Sequence, residues 1–150
     1  MRIKLYPIVL LFLFFKSCNS SDGIDCALVD CAAQGFSIVF VDSDGTNLIE
    51  NGTFSIADIT ISKNGKQLGF NASEENQIFF EVAGQQGENI YEITLSESRT
   101  DELILDLNRT NSGSECCSPF FDVNSASYTN SSNVLIETDS FIVEFIIVID

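Results

Sequence analysis

From Phe36 onward the apolar residues come in runs of strand length, and each run is closed by residues that turn a backbone. Phe36–Val41 (FSIVFV) is apolar on both faces except at Ser37, which places it centrally in a sheet. Asp42–Asn47 follows as a turn, then a short strand at Leu48–Glu50, then the Asn51-Gly52 turn. Phe54–Ser62 alternates in its second half, with Ile59 and Ile61 against Asp58, Thr60 and Ser62. Asn64-Gly65, inside Lys63–Lys66, is the strongest hairpin signal, because Asn-Gly favours the primed turns that match strand twist. Gln67–Asn71 is the returning strand. Gln77–Ala83 and Ile90–Ser96 read as a second hairpin across Gly84–Asn89, with Tyr91, Ile93 and Leu95 facing the core. Asp101–Leu107 puts Leu103, Leu105 and Leu107 on one face.

The stretch 108–133 is polar, rich in Ser and Asn, and reads as a long loop pinned by Cys116-Cys117 and Phe120-Phe121, with one further strand hidden at Asp122–Thr129. Val134–Glu137 and Phe141–Ile149 (FIVEFIIVI) close the chain. The last is apolar on both faces and must be central or covered. Roughly eight strands at 8–12-residue spacing predict an all-β fold: a single antiparallel β-sandwich, immunoglobulin-like, over residues 24–150. No helix is secure on this pattern.

The N-terminus obeys a different logic. Arg2 and Lys4 precede an apolar run, Leu5–Phe15, of eleven residues. A spanning helix needs about 20 apolar residues, so this run suits a signal peptide over 1–17. Phe15-Lys16-Ser17-Cys18 then resembles the lipobox of bacterial lipoproteins in the looser form of Bacteroidetes-type envelope proteins, although Lys16 departs from the usual small or apolar residue. The resemblance implies that Cys18 receives a diacylglyceryl thioether and becomes the mature N-terminus, with residues 18–23 as a tether. Each buried CH₂ of such a lipid contributes about 0.8 kcal/mol to membrane binding. The rival is a secreted protein cut near Ser17. The rest of the chain is similar to uncharacterised β-sandwich lipoproteins of the same envelope. The likeness rests on a cysteine in the lead-in Ile24–Gly35, on Val41–Leu48, Tyr91–Leu95 and Asp101–Leu103, and on the Cys-Cys pair. It implies a membrane partner through lipid, a place at the outer or another envelope membrane, and no catalytic residue.

All 22 acidic residues lie beyond residue 17, where only Lys63, Lys66, Arg99 and Arg109 are basic. Such a surface repels phosphates, so nucleic acid is excluded as a partner. The chain has 13 Phe residues, ten of them beyond residue 17, which with abundant Ile and Val supply a core that a disordered acidic chain lacks. Of five cysteines, Cys18 goes to lipid and four remain: Cys26, Cys31, Cys116 and Cys117. A bond between neighbours would be strained, so the adjacent pair is expected to bridge to Cys26 and Cys31, in either connectivity. C-x₄-C followed by adjacent cysteines is not the spacing of a zinc ribbon or knuckle.

The chain has no His and no Trp, which excludes Ser-His-Asp and Cys-His catalysis and weakens a sugar-stacking cleft. No glycine loop sits between a strand and a helix to cradle phosphate. Asp42, Asp44 and Asn47 give a calcium hypothesis, since Ca²⁺ takes six to eight oxygens. Gly45 stands at position four of that turn and Thr53 at position twelve, so it is no EF-hand. Its alternative is a plain Asp-Gly turn. The Asn-x-Ser/Thr sequons at Asn51, Asn71, Asn108 and Asn130 fit chance in a chain this rich in Asn, Ser and Thr. Three functions follow: a non-enzymatic binding or scaffolding module for a surface protein or glycan; a calcium-dependent module; and a hydrolase using paired carboxylates. An exposed apolar patch or an unpaired edge strand would mark the first.

Overall fold

The computed structural model describes residues 25–81, 83–110, 115–139 and 141–149. The leader, Cys18 and the tether lie outside the described residues. Ten strands form among the described residues: β1 (Gly35–Val41), β2 (Thr60–Lys63), β3 (Lys66–Leu68), β4 (Phe70–Ala72), β5 (Ile78–Glu81), β6 (Gly87–Ser96), β7 (Arg99–Thr110), β8 (Phe120–Tyr128), β9 (Ser131–Asp139) and β10 (Ile142–Ile149). They build two five-stranded sheets, a front sheet ordered β4-β5-β1-β10-β9 and a back sheet ordered β3-β2-β6-β7-β8. The only helical element among the described residues is the 3₁₀ turn Cys26–Leu28.

The core lies between the sheets. Phe36, Ile38, Phe40, Phe145 and Ile147 of the front sheet meet Ile61, Tyr91, Ile93, Leu95, Leu103, Leu105 and Leu107 of the back sheet, all fully buried. The alternation in β6 and β7 falls as the sequence predicts, and the Lys63–Lys66 turn is a hairpin closed by Asn64 (φ 52°) and Gly65 (φ 73°). Ten strands replace the expected eight or so, and four departures have physical reasons.

First, the sandwich is not wholly antiparallel. β1 and β10 run parallel, paired from Gly35↔Ile142 to Val41↔Val148. These are the strands apolar on both faces, and the whole domain serves as the crossover that a parallel pair requires. Second, Gln77–Ala83 and Ile90–Ser96 are not a hairpin. β5 pairs with β1 and β4 in the front sheet, whereas β6 pairs with β2 and β7 in the back. Buried Asn89 organises the crossing: its side chain binds the Gln85 N–H, Gln85 carbonyl and Gly87 carbonyl, and Lys63 Nζ donates to both Asn89 Oδ1 and the Ala83 carbonyl. Third, the returning strand divides at Gly69, so that Leu68 in the back sheet and Phe70 in the front sheet both pack on the core. Leu48–Glu50 and residues 54–59 form turns instead of strands, yet Leu48, Ile49, Phe54 and Ile59 stay buried.

Fourth, the polar stretch after Leu107 holds the strand expected at Asp122–Thr129 and more sheet besides. β7 runs to Thr110, β8 spans Phe120–Tyr128 and β9 begins at Ser131. Only one face of an edge strand meets the core, so the polar side chains of β8 and β9 do not prevent pairing. Buried Asp101 anchors the corner between these strands. It pairs with Arg99 Nε at 2.7 Å and accepts from Asn130 Nδ2 at 3.0 Å, and Asn130 itself takes a positive φ of 59°.

Among the described residues the buried hydroxyls of Tyr91 and Tyr128 find no hydrogen-bond partner of good geometry. Burial raises both phenol pKa values well above the ordinary 10.0, and the neighbouring charge of Asp101 adds to the rise at Tyr128. The folded state therefore holds these protons more tightly than the unfolded chain. Their contribution is complete below pH 10.0 and is lost as pH rises beyond it. Alkaline unfolding followed by circular dichroism is expected to begin above that value and to shift to higher pH in Tyr91→Phe. The same variant, freed of an unpaired buried hydroxyl, should be more stable at neutral pH by about 1 kcal/mol.

Candidate functional site: the outer face of the front sheet

Register alone assembles the site. Across all five strands of the front sheet one row of opposed residues reads Asn71, Phe79, Ser37, Glu144, Glu137. The next rows read Val39, Ile146, Leu135 on one side and Glu81, Gly35, Ile142 on the other. These positions alternate with Phe36, Ile38, Val143 and Phe145, which fill the core, so the rows form the face turned away from it. The back of the front sheet thus holds Phe79, Val39, Ile142, Ile146 and Leu135 around a polar centre.

That centre is fixed. Glu144 Oε2 accepts from Ser37 Oγ at 3.0 Å and from Gln77 Nε2 at 2.9 Å. Ser37 has no solvent exposure, so its hydroxyl is committed to this bond. Glu137 stands directly across the ladder from Glu144, an arrangement that like charges oppose unless a cation or donor lies between them. Ser37, Gln77, Phe79, Glu137, Thr138, Ile142 and Glu144 line a recess of about 280 Å³. Phe79 and Ile142 are shared with a groove of about 660 Å³ that continues past Gly35, Gly69, Phe70 and Asn71 to the β4 edge. A groove of this size, mainly apolar with few polar groups, is of the kind that accepts a side chain or a short segment. Chemically the face offers a held carboxylate, a second beside it, and an apolar surround.

The residues singled out from sequence lie elsewhere. Cys26 bonds Cys116 (S–S 2.02 Å) and Cys31 bonds Cys117 (S–S 2.07 Å), which selects one of the two open connectivities. Together they clip the lead-in to the start of β8. Gln34 completes the clip, donating to the Phe121 carbonyl at 2.8 Å and accepting from the Phe121 N–H at 2.7 Å. Asp42, Asp44 and Asn47 share one turn beyond β1. Asp42 Oδ1 accepts from the N–H groups of Asp44 (3.0 Å) and Thr46 (2.8 Å), and Asn47 Oδ1 from those of Ile49 (2.9 Å) and Glu50 (3.1 Å). Both side chains therefore shape the backbone, and a cation would have to share their oxygens. Among the described residues no group of three or more Cys, Asp or Glu is arranged to hold a metal.

Sequence reasoning missed Ser37, Gln77, Glu137 and Glu144. The available signal was the single polar residue inside each of two apolar strands, Ser37 in FSIVFV and Glu144 in FIVEFIIVI. No protein-family model matches the chain, and no curated protein or solved structure matches it either.

Proposed function

We propose that this protein is a non-enzymatic binding or scaffolding module, lipid-anchored through Cys18 in a cell envelope of the Bacteroidetes type and immunoglobulin-like in its sandwich. Its partner is a protein segment that lies on the outer face of the front sheet. The observation that carries the reading is an apolar sheet face with a locked carboxylate at its centre. Charge complementarity decides the chemistry of the occupant. Glu144 and Glu137 sit among Phe79, Ile142, Ile146 and Leu135 in a chain of net charge −15, so the partner brings a Lys or Arg flanked by apolar side chains. A glycan suits the face less well, since its aromatic residues are Phe and none is Trp. Two packed sheets with crossings between them support the immunoglobulin-like description, while the parallel β1–β10 pair departs from the constant-type strand order. The anchor rests on the order of apolar run, small residue and cysteine. It places the module on the envelope membrane with the sandwich held off by the tether.

The test is made on the full chain in envelope membranes. A photo-crosslinking residue at Ile142 is expected to give one discrete adduct, and the same residue at Glu102 on the back sheet none. Glu144→Gln should reduce the adduct by at least about tenfold, the loss expected when one member of a desolvated charge pair is removed. Cys18→Ala should move the protein out of the membrane fraction. Adducts of equal yield at both positions, indifferent to Glu144→Gln, would overturn the docking face. Retention in the membrane with unchanged mass would overturn the anchor.

A further inference from the structure

We infer that β9 is a self-pairing edge: two copies of this chain join antiparallel through β9 about a two-fold axis at Leu135. The inference is independent of the partner proposed for the outer face. It begins with an exposure that such a partner does not explain. β9 is the last strand of the front sheet, and its Leu135 and Ile136 are 48% and 39% exposed. Consecutive strand residues point to opposite faces. Leu135 opposes Ile146 on the outer face, whereas Ile136 opposes buried Phe145 on the core side. Material lying on the outer face covers Leu135 and leaves Ile136 in water. A strand added at the edge covers both.

The sequence of β9 suits a second copy of itself. Asn133-Val134-Leu135-Ile136-Glu137 is polar, apolar, apolar, apolar, polar. Paired antiparallel about Leu135, it sets Leu135 against Leu135, Val134 against Ile136 and Asn133 against Glu137. Every apolar residue meets an apolar one, and each carboxylate meets an uncharged amide. A shift of the axis by one residue either way leaves a single apolar pair and sets Leu135 opposite Asn133 or Glu137. The axis must pass through a residue, because opposed side chains in a two-fold pair share a face. So one register stands out, and it contains no like-charge pair even though the chain carries −15.

Edge strands that avoid pairing are very short or carry Pro, charged side chains (Lys above all) or a bulge that twists the edge away. β9 has neither Pro nor Lys. Its bulge lies at its start, where the register shifts between Val148 and Ile149 and Ser131 Oγ accepts from the Asn133 N–H at 3.2 Å. The ladder to β10 is regular from Asn133 to Asp139. The self-paired stretch therefore begins at Asn133, where the symmetric pattern begins. The product is an isologous dimer with one continuous ten-stranded sheet, twice the five strands of each front sheet. It presents both outer faces on the same side.

The experiment is light scattering with detergent-corrected mass on the full chain in a mild non-ionic detergent, over protein concentration and salt. A two-chain mass is expected at concentrations above roughly ten micromolar, and more dimer at high salt as repulsion between acidic copies is screened. Leu135→Lys and Ile136→Lys, both at exposed positions, should return a one-chain mass with an unchanged strand spectrum by circular dichroism. Ile142→Lys, on the outer face but off the edge strand, should leave the dimer intact. A one-chain mass throughout would overturn the inference. So would a dimer that survives both β9 variants, or one that Ile142→Lys abolishes as readily.

Discussion

Loss of both disulfides is expected to destabilise the domain by about 6 to 7 kcal/mol, whereas loss of either alone takes away only about 2 kcal/mol. The difference follows from how the bridges overlap. Cys26–Cys116 and Cys31–Cys117 span 90 and 86 residues, and each closes nearly the same segment of chain. Either bridge by itself removes the entropy of a loop that long from the unfolded ensemble, a contribution of about 4 to 5 kcal/mol. Once one is in place, the other closes only the ring through 26–31 and 116–117. A ring of that size, on the order of six residues, is worth about 2 kcal/mol in the same model. The variants C26S/C116S and C31S/C117S should thus cost little each, and the quadruple variant more than their sum. Unfolding free energies of the three proteins in urea, each taken from its own midpoint and slope, check this. Small domains hold about 5 to 15 kcal/mol in all, so the quadruple variant approaches the threshold of folding. Equal and additive costs would instead locate the stabilisation in native contacts of the lead-in.

The sequence made the β-class, the Asn64-Gly65 hairpin and the buried faces of β6 and β7 legible, because each is a local pattern with period two. Partnership between strands was less legible. Nothing local distinguishes a hairpin across Gly84–Asn89 from a crossing between sheets. The choice lies in Asn89 and Lys63, which bind loop carbonyls that no linear pattern names. The parallel β1–β10 pair joins the two ends of the domain, so its only trace was that both strands are apolar on both faces. β8 and β9 were legible only in part, as the strands at Asp122–Thr129 and Val134–Glu137: as edges they bury one face at most, and the Ser and Asn residues around those cores read as loop.

The candidate site was hidden by the same apolar character. In FIVEFIIVI, Glu144 passed unremarked within a strand expected to be central or covered. The sheet covers only the face of Val143, Phe145 and Ile147. The other face carries Glu144 among Val39, Ile142 and Ile146, and under the proposed docking it is Glu144 that would set the charge preference.

Phe36→Ala is expected to be among the most damaging single substitutions in the core, at about 3 to 5 kcal/mol. Phe36 has no solvent exposure and sits on β1, the middle strand of the front sheet. Its ring meets three others edge-on, with centroids 5.6 Å from Phe80, 6.3 Å from Tyr91 and 5.3 Å from Phe145. Two of those rings belong to its own sheet and Tyr91 to the opposite one, so Phe36 ties the layers together. The cavity left by its removal cannot close easily, because Phe80 and Phe145 are held by ladders on either side of β1. Loss of edge-to-face contacts, each about 0.5 to 1.5 kcal/mol, adds to the transfer term. Phe141 is the control. It is half exposed, with one ring neighbour, Phe120 at 5.6 Å, and Phe141→Ala should cost no more than about 0.5 to 1 kcal/mol. Thermal melts of the two variants side by side check the pair. Similar midpoints would mean that the front sheet repacks around the missing ring, and that the layers are tied elsewhere.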